Sequence, residues 1–269
     1  MAAVAGYVIR GGLAGRERLR VLARIQAAPT IRLLQRVRIP RGARCLDAGC
    51  GGGDVALQLA RIAGPDGEAV GIDRDEVKLE LARAEARDSG LDNVSYRVAD
   101  VNVLTAEHEF DVVYSRFLLA HLADPAAALE RLVAAARPGA LVVLEDIDFT
   151  GPFCHPESRA YRRFWELFPA AVRAHGGDPT FGPALPGLLA GAGVRDVDVR
   201  VVQATGRDPD VKLMPALTFE NSIDAIAGAG LARREAVEAM VDELYAFAAE
   251  PDTVVALPRV VQAWGRVQA

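Results

Sequence analysis

Hydrophobic positions along the chain change their period once, near residue 40. Over 13–27 they recur at helical spacing through Leu19, Leu22, Ile25 and Gln26; Pro29 is expected to end this helix, and Thr30 to cap a second short one through 37. Beyond that, short apolar runs alternate with helical stripes. Strands are predicted at 44–48, 68–72, 94–99, 110–114 and 140–147. Helices fall at 54–63, stopped by Gly64-Pro65, at 75–88, ended by Gly90, and at 125–136, closed by Arg137-Pro138-Gly139. Such alternation predicts a parallel sheet with helices on both faces. Right-handed crossovers place the strand C-termini along one edge, where open sheets bind ligands. Asp47 to Gly53, Asp73, Asp100, Ser115 and the segment 145–149 should therefore converge.

After Phe149 the rhythm is different. Residues 157–174 carry a helical stripe of Tyr161, Phe164, Trp165, Phe168 and Val172, with Pro169 a candidate kink. A short helix is expected within 182–193, a strand at 194–203, an irregular or helical stretch from Asp208-Pro209, a long helix at 231–249 and a last strand at 254–267. The chain thus divides into a helical arm (1–40), a core (41–150), lid insertions (151–182 and 208–250) and a closing strand (251–269). No internal repeat or low-complexity linker is visible.

Charge refines this picture. The formal net charge is −5, yet residues 1–44 hold ten arginines and one acid, Glu17, so the arm is +9 and the remainder −14. A basic arm on an acidic body suits an anionic substrate or nucleic acid, or a helix docked on its own acidic domain. The docked helix is preferred: no RNA-binding motif accompanies the arm, and arginine is this chain's default cation, with only two lysines. No apolar run reaches the roughly 20 residues that span a bilayer, and arginines interrupt the N-terminal apolar stretch, so a cytoplasmic protein without membrane association is expected. Cys45, Cys50 and Cys154 fit neither a disulfide framework nor a zinc site. The sequence leaves a homodimer open.

The candidate chemistry begins at Cys45–Asp54, CLDAGCGGGD. Glycines after a strand permit a sharp turn and bring backbone N–H groups close to a ligand. Gly51-Gly52-Gly53-Asp54-Val55-Ala56 satisfies the dinucleotide spacing, with Asp73 at the expected distance for a ribose-binding acid. Spacing alone does not exclude NAD. Charge argues against it: Asp47 and Asp54 flank the turn, and each would cost on the order of 1 kcal/mol or more against a nearby pyrophosphate. S-adenosylmethionine, with an ammonium and a sulfonium, reverses that sign.

Taken with VGIDRD (70–75), YRVADV (96–101), FDVVYSRFLLAHLADP (110–125) and ARPGALVVLEDIDF (136–149), the turn resembles the class I S-adenosylmethionine-dependent methyltransferases, nearest the ubiquinone/menaquinone-biosynthesis type of small-molecule enzyme. The resemblance covers about 110 residues and implies a Rossmann-like, doubly wound, mostly parallel seven-stranded α/β fold. It implies that Asp47 and the backbone of Gly49, Gly51 and Gly53 line the methionine moiety. Asp73 would accept both ribose hydroxyls, Arg74 would cover one adenine face, and Asp100 with the Val101 amide would meet the adenine edge. Ser115 and Arg116 would reach the methionine end, with Tyr7 and Arg16 closing over the carboxylate.

The resemblance further implies methyl transfer to a small organic acceptor at oxygen, nitrogen or carbon, an in-line displacement that alignment alone can largely accelerate. His121 is the candidate base, with Asp146 or Asp148 as its acid partner; the relatives' pair of adjacent histidines is broken by Ala120. His155 and His175 are weaker candidates, and His108 is expected in solvent. Seven of the sixteen aromatics lie within 149–181 and would line an apolar acceptor site or simply pack the lid. Metal-assisted transfer is disfavoured because Tyr114-Ser115-Arg116 offers no aspartate after the fourth strand. Competing readings are a methyltransferase fold that does not methylate (a cyclase, lyase or binding module), an RNA methyltransferase and an NAD-dependent oxidoreductase.

Overall fold

The computed structural model describes Val8, Ile9 and residues 15–268; Tyr7 and the side chain of Arg16 lie outside the described residues. The chain runs α1 (Arg16–Val37), β1 (Arg44–Ala48), α2 (Asp54–Ala63), β2 (Glu68–Asp73), α3 (Glu76–Ser89), β3 (Val94–Val98), β4 (Phe110–Arg116), α4 (Pro125–Ala135) and β5 (Ala136–Asp148). It continues through β6 (Phe153–His155), α5 (Arg159–Ala174), α6 (Leu185–Gly191), β7 (Val194–Gly206), α7 (Pro209–Glu220), α8 (Ile223–Gly228), α9 (Arg234–Ala249) and β8 (Val254–Val267).

The sheet order is β3-β2-β1-β4-β5-β8-β6, with β7 also paired to β8. The first five strands are parallel; β8 enters antiparallel beside β5, and β6 and β7 are antiparallel to β8. The order therefore reverses between β1 and β4, which opens a crevice at their C-terminal ends. The parallel strands are apolar on both faces, as a sheet covered by helices requires: Cys45, Leu46, Val70, Val112, Val113, Val142 and Val143 are all buried.

Two differences from the sequence reading have physical causes. The sheet has eight strands rather than seven, because the three residues of β6 pair with the start of β8. Three residues leave almost no periodic signal. Pro29 does not end the first helix: α1 runs through it to Val37. Its first half packs Val21, Leu22 and Ile25 into the lid core, and its second half packs Leu33, Leu34 and Val37 against β1 and α2. Burial on both sides of the proline outweighs the roughly 3 kcal/mol penalty of proline in a helix. Thr30, expected as a cap, instead donates from Oγ1 to buried Glu145 Oε1 at 2.8 Å.

The lid has its own core. Tyr161, Phe164 and Phe168 of α5 meet Met214, Leu217 and Phe219 of α7, Ile223 and Ile226 of α8, and Val237, Val241 and Leu244 of α9. α1 lies across α7, so arm and lid together roof the C-terminal edge of the sheet. Among the described residues no helix is long and apolar enough to cross a membrane.

Candidate active site

A cavity of about 490 Å³ opens at the β1/β4 reversal, beneath α1, α5 and α7. Its first half is built by the sheet edge. Asp47 is the penultimate residue of β1, and after Ala48 the chain turns through Gly49, Gly51 and Gly53, all at positive φ. The amides of Gly49 and Cys50 donate to Ile72 O at 2.8 and 2.9 Å, and Gly51 N donates to Asp73 Oδ2 at 3.0 Å. The acid at the end of β2 thus fixes the glycine turn. Its other oxygen accepts from Asp75 N at 2.9 Å. Asp100 Oδ1 caps the turn after β3 through Asn102 N at 2.8 Å. A Cβ on Gly51 or Gly52 would meet nothing within 4 Å, so the backbone there is open to an occupant.

Asp47 is 2 % exposed, and its Oδ2 has no hydrogen-bond partner. Burial, reinforced by the neighbouring charge of Asp54, pushes its carboxyl up to about 7; Arg116 and the Ala56 amide pull the other way. An orphaned buried carboxylate oxygen at the floor of a glycine turn fits a cation. Arg116, at the end of β4, donates from Nη2 to both oxygens of Asp54 at 3.0 and 2.8 Å, and from Nη1 to Thr30 Oγ1 at 3.3 Å. Thr30 in turn leads to Glu145, which also accepts from Tyr114 Oη and, at 2.8 Å, from Gln262 Nε2. A buried polar network therefore joins the arm, β4, β5 and β8 behind the site.

The second half of the cavity is apolar. Phe149, Trp165, Phe168, Met214, Leu257 and Val260 line it, together with one face of α1. Phe149 packs edge-on against Phe168 with ring centroids 5.3 Å apart. α5 thus serves both expected roles: Trp165 and Phe168 reach the cavity, while Phe164 is buried in the lid core. His121 stands between the halves on a short 3-10 turn, Leu119–His121. Burial, with Arg18, Lys78 and Arg74 nearby, pushes it down to about 4, so its imidazole is neutral at neutral pH.

Asp47, Gly49, Gly51, Asp73, Arg74, Asp100, Val101, Arg116 and His121 all reach the cavity wall. Gly53 and Ser115 do not. A Cβ on Gly53 would lie 2.6 Å from Tyr96 Oη, so this glycine admits Tyr96 rather than a ligand. Ser115 is buried and donates from Oγ to Ala48 O at 3.0 Å, bracing β4 against β1. Asp146 and Asp148 are also committed elsewhere. Asp146, pushed up to about 7 by burial, accepts from Ala120 N and Ile147 N at 3.0 and 2.8 Å, and so holds the turn that carries His121. Asp148 binds Thr150 and Arg259. His155 and His108 are exposed, and His175 Nδ1 meets Ala171 O at the end of α5. Among the described residues no cluster of three His, Cys, Asp or Glu could hold a metal ion.

Sequence reasoning missed Arg18, Gln26 and Pro258 in the wall. The first two had a signal: Arg18, Leu22 and Gln26 repeat every four residues on one helix face.

The comparisons agree with this geometry. A methyltransferase-domain family model matches residues 39–170. The ubiquinone biosynthesis O-methyltransferase of Bordetella pertussis is 38% identical over 109 residues, covering 40% of this chain and 44% of that protein. The ubiquinone/menaquinone biosynthesis C-methyltransferase of Yersinia enterocolitica is 35% identical over 126 residues, covering 46% and 49%. The crystal structure of the 4+2 cyclase SpnF shares the fold at a TM-score of 0.55 and 20% identity, covering 91% of this chain and 82% of that one. The chain spans about half the length of the curated relatives it matches. With this sheet order and glycine turn, residues 39–170, just under half of the chain, are similar to the methyltransferase-domain family.

Proposed function

We propose that this protein transfers a methyl group from S-adenosylmethionine to a small, apolar, ring-bearing acceptor. The observation that carries this reading is the unpartnered buried oxygen of Asp47, set beneath an open glycine turn in a cavity whose other half is aromatic. Asp47 and the backbone of Gly49 to Gly52 would hold the methionine end, with Arg116 bracing Asp54 beside it. Asp73 would take the ribose hydroxyls, Arg74 the adenine face, and Asp100 with the Val101 amide the adenine edge. When bound, the cofactor supplies a methyl group already activated on a sulfonium. The chain's own work is then to align the acceptor, exclude water with α1, α5 and α7, and offer the neutral imidazole of His121 to an acceptor proton.

The arm belongs to this site and is not a nucleic-acid footprint. Arg20, Arg24 and Arg36 pair with Glu85, Asp210 and Asp198 of the acidic body. The test is calorimetric titration with S-adenosylmethionine, S-adenosylhomocysteine and NADH, followed by mass spectrometry of products formed from methyl-labelled cofactor. Micromolar binding of the two sulfur nucleosides, at least tenfold weaker in Asp73→Ala, is expected, with label in the product. Binding of NADH alone, or unchanged affinity in Asp73→Ala, would overturn the reading.

A further inference from the structure

Resting on the methyl-transfer reading, we propose that the acceptor is a neutral ring compound bearing a hydroxyl, and that Gln26 selects it by accepting a hydrogen bond from that hydroxyl. Gln26 is 5 % exposed and lines the cavity, yet its Oε1 has no hydrogen-bond partner. Buried polar atoms in folded proteins are nearly always paired, so an orphan aimed into a cavity marks the place of a ligand group of opposite kind. An amide oxygen requires a donor. Trp165 Nε1, in the same cavity wall, also has no hydrogen-bond partner and offers a donor to the same occupant.

Position ties Gln26 to the network around Arg116. Thr30, one helical turn further along α1, accepts from Arg116, which holds Asp54 beside the glycine turn. Gln26 therefore stands about 6 Å along the helix axis from the residue that meets Arg116.

Charge separates a hydroxyl from an amine. The acids of the wall, Asp47, Asp54, Asp73, Asp75, Glu85 and Asp100, come from the edge formed by β1, β2 and β3 and from α2 and α3, and none from α5, α7 or β8. The acceptor half holds no carboxylate among the described residues. It does hold Arg18, whose Nε donates to Thr218 Oγ1 at 3.1 Å. An alkylammonium would find no carboxylate there, whereas a neutral hydroxyl needs none.

Matched probes test the assignment. S-adenosylhomocysteine is titrated first into wild type and Gln26→Leu; failure there counts against the methyl-transfer reading, and the probes are then run on the cofactor-free chain. Calorimetry follows with 1-naphthol against 1-methoxynaphthalene, 9-phenanthrol against 9-methoxyphenanthrene, and 1-naphthylmethylammonium. Each hydroxyl probe should bind about tenfold or more tighter than its methyl ether, a difference of about 1.4 kcal/mol. Gln26→Leu should reduce that preference to within about twofold while leaving the ether's affinity within about threefold. Gln26→Glu, which keeps an acceptor oxygen, should retain the preference, and it stands in if the leucine variant does not fold. Equal binding of hydroxyl and ether to wild type, a preference that survives Gln26→Leu, tighter binding of the ammonium, or no binding by any probe overturns the proposal.

Discussion

Arg116 Nη2 reaches both carboxylate oxygens of Asp54, at 3.0 and 2.8 Å, across the opening of the glycine turn. The pair joins the last residue of β4 to the first residue of α2, the two elements between which the cofactor half of the cavity lies. Burial opposes a charged guanidinium here, but Asp54, Tyr114 and Glu145 more than offset it and raise the proton affinity of Arg116. Removing one member of a buried pair typically costs about 3–5 kcal/mol, but Asp54 keeps 34% of its side chain in solvent, which lowers the expectation. Arg116→Met should therefore cost about 1–3 kcal/mol in urea denaturation. Adding Asp54→Asn should recover part of that loss.

Two glycines of the turn should fail in different ways. Gly53 has φ 80, and a Cβ there would sit 2.6 Å from Tyr96 Oη and 2.8 Å from Ala82 Cβ. Gly53→Ala combines left-handed strain with overpacking, and should lose about 2–4 kcal/mol of stability. Gly51 has φ 53 but nothing within 4 Å. Gly51→Ala should cost only about 1–2 kcal/mol, yet weaken S-adenosylmethionine tenfold or more by filling the space where backbone and ligand meet. Urea denaturation and calorimetry on the same two variants separate the effects.

Thr30 offers a test of the network behind the site. Its hydroxyl donates to Glu145, a carboxylate only 1 % exposed, and accepts from Arg116. Thr30→Val keeps the shape and removes both bonds, and should cost about 1–3 kcal/mol, whereas Thr30→Ser should stay within about 1 kcal/mol of wild type. Equal stability of the two variants would mean that the hydroxyl is dispensable.

The cofactor half was legible because its signals are local. A strand, a glycine turn and a strand-end acid each occupy a few consecutive residues, and Asp47, Asp73 and Asp100 followed from counting strand ends. The acceptor half was legible only in part: the aromatic stretch 149–181 supplied Phe149, Trp165 and Phe168, but Arg18 and Leu257 come from α1 and β8, far away in sequence. Ser115 and Gly53 show the limit within the legible half. Strand-end position places a residue near the crevice, but the alternation of side chains turned Ser115 toward Ala48, and Tyr96, two strands away, took the space beside Gly53. Pro29 was misjudged because its cost is intrinsic to the sequence, while the burial that offsets it comes from β1, α2 and the lid.

Titration of Asp47 gives a prediction with a definite sign. Its pKa is raised from 3.8 to about 7, as is that of Asp146, so both are protonated in the folded, cofactor-free chain at pH 5 and ionised in the unfolded one. Their contribution to stability is present below pH 4 and lost as pH rises through 7. His121 is lowered from 6.5 to about 4, so its contribution is present above pH 6.5 and lost as pH falls toward 4. Between about pH 4.5 and 6 the folded chain therefore holds one more proton than the unfolded chain at these three groups. Their sum should lower stability by about 1.4 kcal/mol per pH unit as pH rises. Asp47→Asn should flatten that slope, read from urea midpoints across the range. A cationic ligand reverses the preference at Asp47 by favouring its ionised form. S-adenosylmethionine binding at pH 6 should thus release close to one proton, measured by calorimetry in buffers of different ionisation enthalpy, and its affinity should rise with pH and level off above 7. Asp47→Asn should abolish both the proton release and the rise; an unchanged pH profile in that variant would remove Asp47 from the methionine end.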